Sequence, residues 1–355
     1  MLSIITSGLN AAQKDLSVTA NNLANAGTTG FKRSEASFLD LYSNDPSSNP
    51  RTQIGGGTTL GDITRSTGQG PLKTTGNVTD LAITGRGFFT LARDDGSLMY
   101  TRSGNFIVNT SGVIVDSQSN PLQCFKVDAS GNPAIDQALT SVTVPTEKSP
   151  GQARVSLSNN ANITVGSGVS LFDTTTNTNV GSTTVSASDL AAGYVTITSS
   201  SLNSGLFDKA AGSDNRVVSY YQPTGLASQL GAVPQYQSNF TQGLSIDTKG
   251  TISANFSDGT SSPIGGIAIA NFPYEPGLRA IGDTNFAQSV DSGQPAMTGA
   301  GAPAAGEIRS GMLEESNVDM TAELMQMLKA QQVYNGNARM MQTSVDLVSR
   351  ITDKI

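Results

Sequence analysis

Apolar residues recur every seven positions at both ends of this 355-residue chain. The recurrence predicts a helix near each end, since steps of three and four residues place side chains on one helical face. The first series contains Leu2, Ile5, Leu9, Ala12, Leu16 and Leu23. The last series contains Leu324, Met327, Tyr334, Met341, Val345, Val348 and Ile355. Burying a large apolar side chain contributes about 1.5 to 3 kcal/mol, so we expect the two helices to pair as a coiled coil.

Both apolar faces are wider than a single partner helix requires. Ile4, Ala11 and Val18 lie beside the first series. Val333, Met340 and Leu347 lie beside the last. Two interpretations follow: a helical hairpin docked on its own domain, or helices whose remaining surface is covered by copies of the same chain. We favour the second, because only 14% of the residues are charged, against about 25% in ordinary globular proteins.

Composition also excludes several function classes. The net charge of -7, from 21 basic and 28 acidic residues, argues against nucleic-acid binding, which needs a clustered basic face. Histidine and tryptophan are absent, and Cys124 is the only cysteine, in a predicted buried strand. The carboxylate pair Glu314 and Glu315 is interpreted as a solvated segment before the last helix. We therefore predict no enzyme, with no catalytic residue, no cofactor and no metal site.

The sequence predicts no membrane insertion, since it contains no apolar run of about 20 residues. The first ten residues include Ser3, Thr6, Ser7 and Asn10. They lack the basic and unbroken apolar regions of a signal peptide. If the protein leaves the cytoplasm, we expect a dedicated exporter to carry it without a cleaved signal peptide.

The fold class predicted is mixed α and β and multidomain, with long terminal helices around two nested β-rich domains. The first helix should end at Gly27 in a left-handed conformation. The predicted domains are a terminal helical pair (1–28 with 318–355), an irregular connector (29–70), a first β-rich domain (71–148 with 263–317) and an inserted outer all-β domain (149–262).

Period-two alternation carries the β prediction. Asp94 to Gly96 predict a hairpin turn, and Thr248 to Gly250 predict another. The apolar run from Ile264 to Phe272 predicts a buried strand that returns to the first β-rich domain. Polar residues from Ser316 to Asp319 are N-cap candidates for the last helix.

Four segments carry a resemblance to a known family. They are ANNLANAGTTGFKR, QGPLKTTGNVTDLAITGRGFF, IGGIAIANFPYEPGL and LEESNVDMTAELMQMLKAQQVYNGNARMMQTSVDLV. In this order they resemble the flagellar axial proteins, which are the rod and hook subunits of the bacterial flagellum. The inserted region makes the chain more similar to hook subunits than to the shorter distal rod subunits.

The resemblance implies a structural subunit that assembles helically into a tube. As a hook subunit, it would form a flexible joint that transmits torque from rod to filament. The implied partners are copies of itself, the distal rod, hook cap and hook-filament junction proteins, and the flagellar export apparatus. The implied location is the extracellular hook, or the basal body if the chain is a rod subunit.

Two other function classes remain open on the residues alone. A secreted β-rich adhesin would explain the Ser-, Thr- and Asn-rich insertion, but it should carry a signal peptide. A polysaccharide-active enzyme would explain β architecture, but it should expose carboxylates beside aromatic platforms. The matched apolar series at the two ends favour the axial interpretation over both.

Overall fold

The computed structural model describes residues 2–41, 55–128, 131–135, 137–147, 151–157, 163, 165–173, 176, 178–192, 194–202, 217–222, 228–229, 235–237, 240–303 and 305–352. Long helices lie at both ends and strands lie between them, as predicted. The chain forms two compact units. The first comprises Met1–Thr143, Ile246–Ile252 and Pro263–Ile355, and the second comprises Val144–Ser245 and Ser253–Ser262.

The elements are numbered in chain order. They are α1 (Leu2–Ala24), β1 (Ser34–Leu41), β2 (Gly57–Arg65), β3 (Leu72–Thr74), β4 (Leu81–Thr84), β5 (Phe88–Ala92), β6 (Leu98–Thr101), β7 (Ile107–Val108), β8 (Ile114–Val115), β9 (Gln123–Phe125), β10 (Thr140–Ser141), β11 (Gly151–Ser156), β12 (Gly168–Asp173), β13 (Thr178–Thr184), α2 (Ala187–Ala192), β14 (Tyr194–Ser199), β15 (Val217–Gln222), β16 (Ser228–Gln229), β17 (Gln235–Gln237), β18 (Thr241–Ile246), β19 (Thr251–Phe256), β20 (Ser261–Asn271), β21 (Arg279–Gly282), β22 (Asn285–Ala287), β23 (Ala296–Gly299), β24 (Glu307–Ser310), β25 (Met312–Glu314) and α3 (Met320–Thr352).

The caps of the terminal helices follow the sequence in one case and depart from it in the other. Asp319 caps α3, since its Oδ1 accepts hydrogen bonds from the backbone N–H groups of Thr321 at 2.8 Å and Ala322 at 3.2 Å. The left-handed residue after α1 is Gly30 (φ 70°) rather than the predicted Gly27. A side chain at Gly30 would meet the backbone of Ser103 at 2.5 Å, so both conformation and space require glycine there.

The connector predicted over residues 29–70 contains a β-hairpin, so the irregular backbone expected there was wrong. β1 and β2 pair antiparallel from Ser34 opposite Arg65 to Leu41 opposite Gly57. The hairpin packs on α1, because the backbone N–H of Thr58 donates to Ser7 Oγ at 3.2 Å. The glycines and threonines of β2 gave no clear alternation of apolar residues, so the sequence did not indicate a strand. The strand forms because its backbone groups pair with those of β1.

The main antiparallel sheet of the first unit has the order β10-β9-β20-β5-β6-β22-β21. The predicted return strand is β20, which pairs with β5 at Ile269 opposite Phe89 and with β9 at Ile267 opposite Cys124. The predicted turns at Asp94–Gly96 and Thr248–Gly250 are also present. Full burial of the Cys124 side chain raises the pKa of its thiol to about 12.

The second unit contains two antiparallel sheets, ordered β14-β11-β17 and β13-β12-β15-β16. Its core includes Val155, Leu171 and Ile197. The all-β expectation missed the short helix α2. Ser186 explains α2, since its hydroxyl accepts from the Asp189 N–H at 3.3 Å while Asp189 Oδ2 accepts from the Ser186 N–H at 2.8 Å, forming a reciprocal cap.

Candidate assembly site at the terminal helices

Helices α1 and α3 pack against each other. Near one end of the contact, Asn22 Nδ2 donates to Glu323 Oε2 at 3.2 Å, and Gln326 Nε2 donates to Asp15 Oδ2 at 3.0 Å. Further along, a Cβ atom at Gly8 would lie 2.9 Å from Asn337 Nδ2. Positions rise in one helix as they fall in the other, so the two helices run antiparallel.

The predicted interface residues divide into three groups by burial. Ile5 and Ala12 are buried in α1. Those half-buried are Leu9, Leu16, Leu23, Met327, Tyr334 and Met341. Those exposed are Leu2, Leu324, Val345 and Val348. Ile355 lies outside the described residues. On α3 the buried positions are Glu323 and Ala330, which the predicted series did not include.

A groove of about 470 Å³ runs between the two helices and strand β1. Its apolar lining includes Ala12 and Val18 of α1, Phe38 of β1 and Val333 of α3. Because Val18 and Phe38 are only half-buried, the apolar faces of the helices are not fully covered within the first unit.

Glu323 ties the first turn of α3 to the chain that follows α1. Arg33 Nε donates to Glu323 Oε1. Asn22 Nδ2 donates to the Ser34 carbonyl at 2.7 Å, and the Ser34 N–H donates to Asn22 Oδ1 at 2.9 Å. The hydrogen bond to Glu323 raises the pKa of Arg33. Both oxygens of the buried carboxylate therefore have donors, which is the condition for burying such a charge.

Glu314 at the end of β25 forms a second, fully buried cluster. Its Oε1 accepts from Lys32 Nζ at 2.6 Å and from the Gly70 N–H at 2.9 Å. Its Oε2 accepts from Arg102 Nη1 at 3.2 Å. Burial lowers the pKa of Lys32, and the negative charge of Glu314 opposes that effect. The cluster joins four chain segments that are far apart in sequence.

Asn317 links the two clusters between β25 and α3. Its Oδ1 accepts from the Arg33 N–H at 2.7 Å, and its Nδ2 donates to the Gly68 carbonyl at 2.9 Å. Lys32 Nζ donates to the same carbonyl at 2.8 Å. We call Asn22, Lys32, Arg33, Arg102, Glu314, Asn317 and Glu323 together the polar junction.

The interpretation of Glu314 as a solvated residue was wrong. Its side chain is fully buried, whereas Glu315 is exposed and lies 3.5 Å from Lys73 Nζ. Glu314 is the last residue of β25 and Glu315 follows it, and adjacent residues of an extended chain point to opposite faces. Most residues of the polar junction lie in the first and last of the four sequence segments that resemble the flagellar axial proteins. That resemblance was the signal in the sequence that could have pointed to them.

The site shows no arrangement suited to metal binding. Among the described residues, no three Cys, Asp or Glu side chains are grouped as metal ligands. No helix within the described ranges is long and apolar enough to span a membrane. What the site does contain is a pair of antiparallel helices, a groove and a buried polar junction at their base.

Three sequence models of protein families match the chain in order. The model "Flagella basal body rod protein" matches residues 2–32. The model "Flagellar hook protein FlgE/F/G D1 domain" matches residues 82–171. The model "Flagellar basal body rod FlgEFG protein C-terminal" matches residues 309–353. Two of the three matches therefore contain the terminal helices and most of the polar junction.

The chain is also similar to curated proteins over nearly its whole length. It is 28% identical to the flagellar hook protein FlgE of Salmonella typhimurium, covering 98% of this chain and 98% of that protein. It is 27% identical to the flagellar hook protein FlgE of Borreliella burgdorferi, covering 97% of each. A crystal structure of Helicobacter pylori flagellar hook protein FlgE2 aligns with a TM-score of 0.38 and 12% identity, covering 68% of this chain and 100% of that one.

Proposed function

We propose that this chain, a flagellar axial protein similar over nearly its full length to hook proteins, is a structural subunit of the bacterial flagellar hook. It assembles helically into a tubular, flexible joint that transmits torque from rod to filament. The named relatives are hook proteins, so a distal rod subunit is not favoured. A hook that bends while it rotates needs interfaces that slide, and a surface with few charges has few salt bridges to break.

The observation that carries assembly is the apolar surface left on α3. Fractional exposures there are 42% for Leu324, 68% for Met325, 55% for Leu328 and 48% for Val333. Leu324, Met325 and Leu328 lie within about one turn of each other, and Val333 lies about one and a half turns further along the helix. Exposed apolar patches mark interaction surfaces. Helical polymerisation would cover them with copies of the same chain.

We further propose that α1 and α3 form an antiparallel coiled coil in the assembled hook. The contacts of Asn22 with Glu323 and of Asp15 with Gln326 support this pairing. The predicted interface residues would then have two different roles. Ile5 and Ala12 would hold the helices together, and Leu324, Val345 and Val348 would face neighbouring copies.

The domain division of the sequence analysis remains a proposal: 1–28 with 318–355, 29–70, 71–148 with 263–317, and 149–262. The bridge between Glu147 and Phe240 places residue 240 of the insertion beside its predicted entry, and a predicted exit near Pro263 close to that entry is part of the proposal. The remaining partners are also proposals: distal rod, hook cap and hook-filament junction proteins. So are an extracellular location, a purely structural role and passage through the flagellar export apparatus without a cleaved signal peptide.

Electron microscopy of the purified full-length chain tests the proposal, together with restoration of motility in a strain that lacks its hook subunit. We expect tubes or short stacks from the unmodified chain. The double variant Leu324→Asn and Leu328→Asn should form none. Its monomer should stay folded, with a urea midpoint lowered only by the weaker helix propensity of asparagine, because both side chains are already exposed. Gln332→Asn, also exposed on α3, controls for helix propensity and should assemble normally.

Two outcomes would contradict the proposal. Tubes of normal length from the double variant would place the assembly face elsewhere. A well-folded unmodified chain that forms no polymer and restores no motility would argue against the hook function itself.

A further inference from the structure

A small void lies beside Arg102 and Lys32, two residues of the polar junction. Its volume is about 20 Å³. Its lining includes Lys32, Arg65, Arg102, Glu275, Leu278 and Phe286. Three of them are cations and one is a carboxylate, which is an unusual balance for a protein interior.

The carboxylates near the void do not match these cations in number. Glu314 already accepts from both Lys32 and Arg102 through its two oxygens. Arg65 donates to the Leu278 carbonyl at 2.6 Å and lies 5.2 Å from the centroid of the Phe286 ring, and it joins no ion pair with the described residues. Counting Lys32, Arg65 and Arg102 against Glu275 and Glu314 leaves one positive charge uncompensated.

Arg102 contributes a buried donor that lacks an acceptor. The residue is 2% exposed. Its Nη1 donates to Glu314 at 3.2 Å and its Nη2 donates to the Gly85 carbonyl at 2.8 Å. Its Nε, by contrast, has no partner among the described residues. A buried N–H group of a charged side chain without an acceptor is costly, and it requires an explanation.

We propose that the void binds a small monovalent inorganic anion of the chloride class, held by Arg102 Nε and by the charges of Arg65 and Lys32. The anion would satisfy the Arg102 donor and cancel the excess positive charge. A volume of this size holds one species about as large as a water molecule, which favours a monatomic anion over phosphate or a carboxylate. The inference is independent of the proposed function, because it rests on the charges, the void and the unpartnered Arg102 Nε.

Two directions of change distinguish an anion from a bound water. Arg65→Gln removes one cation and should weaken chloride binding by about tenfold. Glu275→Gln removes the competing carboxylate and should tighten chloride binding by a similar factor, about tenfold. A neutral water would respond to neither change in this way. Arg86→Gln is the matched control, since Arg86 is an exposed arginine that does not line the void.

Chloride titration of the full-length monomer provides the test, at constant ionic strength made up with gluconate, which is too large for the void. Chlorine NMR line broadening and the midpoint of thermal unfolding are the two measurements. We expect saturable broadening and a rising midpoint. The half-saturation concentration should increase in Arg65→Gln, decrease in Glu275→Gln and stay unchanged in Arg86→Gln.

Other outcomes would overturn the proposal. A thermal midpoint that is the same in chloride and gluconate, with no saturable broadening, would show that the void takes a water or nothing charged. Saturable broadening that is equal in all four proteins would assign chloride to another surface. If Arg65→Gln does not fold, Glu275→Gln still decides, because tighter binding is expected and unchanged binding would refute the site.

Discussion

Replacing Glu314 with glutamine is expected to lower the free energy of unfolding of the first unit by about 3 to 5 kcal/mol. The change keeps the size of the side chain but removes the charge that faces Lys32 at 2.6 Å and Arg102 at 3.2 Å. Both cations are almost fully buried, so water cannot replace the carboxylate without opening the polar junction. The amide NH₂ group of glutamine would also face Lys32 or Arg102, and two donors cannot form a hydrogen bond with each other.

Urea unfolding of the monomer measures the effect, followed by circular dichroism and tyrosine fluorescence. The chain has eight tyrosines, in both units, and Tyr100, buried in the first unit, contributes to the fluorescence change of that unit's transition. Glu315→Gln is the matched control: its side chain is exposed and pairs with Lys73 across 3.5 Å at the surface, so its loss should cost about 0 to 1 kcal/mol. The second unit contains none of the changed residues, and its transition should not move.

A second substitution separates lost charge from lost packing. Lys32→Met on the Glu314→Gln background removes one of the two unpaired cations, and we expect it to recover part of the lost stability. Equal stability of Glu314→Gln and Glu315→Gln would refute the reasoning, because the buried carboxylate would then contribute no more than an exposed one. No recovery in the double variant would assign the loss to packing.

Four further outcomes follow from the same structure. Leu16→Asp should abolish tubes in electron micrographs, because a buried charge costs about 2 kcal/mol or more per subunit, whereas Ser17→Asp on the exposed side should assemble. Burial raises the pKa of Cys124 to about 12, so between pH 8 and pH 10 the thiol ionises only in the unfolded chain, and the free energy of unfolding should fall by about 1.4 kcal/mol. Urea titrations should show that Cys124→Ala lacks this fall. Deleting residues 148–239 and joining Glu147 to Phe240 by a short linker should leave the first unit folded, as measured by circular dichroism. Complete unfolding would mean that the deleted segment belongs to the core of that unit. Amide hydrogen exchange should be fast in both ends of the dilute monomer and slow in the polymer, and equal protection would show that the helices need no neighbour.

Local patterns predicted the elements that local interactions determine. The seven-residue series predicted α1 and α3, because helical side chains three and four positions apart share a face whatever the rest of the chain does. The Asp94–Gly96 turn followed from residues that tolerate positive φ, and Gly96 has a φ of 81°. The strand β20 followed from the apolar run between Ile264 and Phe272.

The polar junction could not be predicted in the same way, because its partners lie far apart in sequence. Lys32 and Glu314 are separated by 282 positions, and Arg102 and Glu314 by 212. A charged residue next to another, as in Glu314 and Glu315, gives no local sign of which one is buried. Only the pairing of β25 with β3 decides that, at Glu314 opposite Leu72.

The exposed apolar face of α3 favours association with neighbours, whereas the buried polar junction fixes the orientation of α3. Apolar burial is non-directional, so the face of α3 could associate with a neighbour in many rotations and registers. Glu323 and Glu314 hold the base of α3 through hydrogen bonds that only one arrangement satisfies. A buried ion cluster contributes little net stability compared with apolar packing, but an incorrect helix orientation would leave these charges unpaired. We therefore expect variants of the polar junction to polymerise with irregular or misaligned subunits, and variants of the apolar face to remain monomeric.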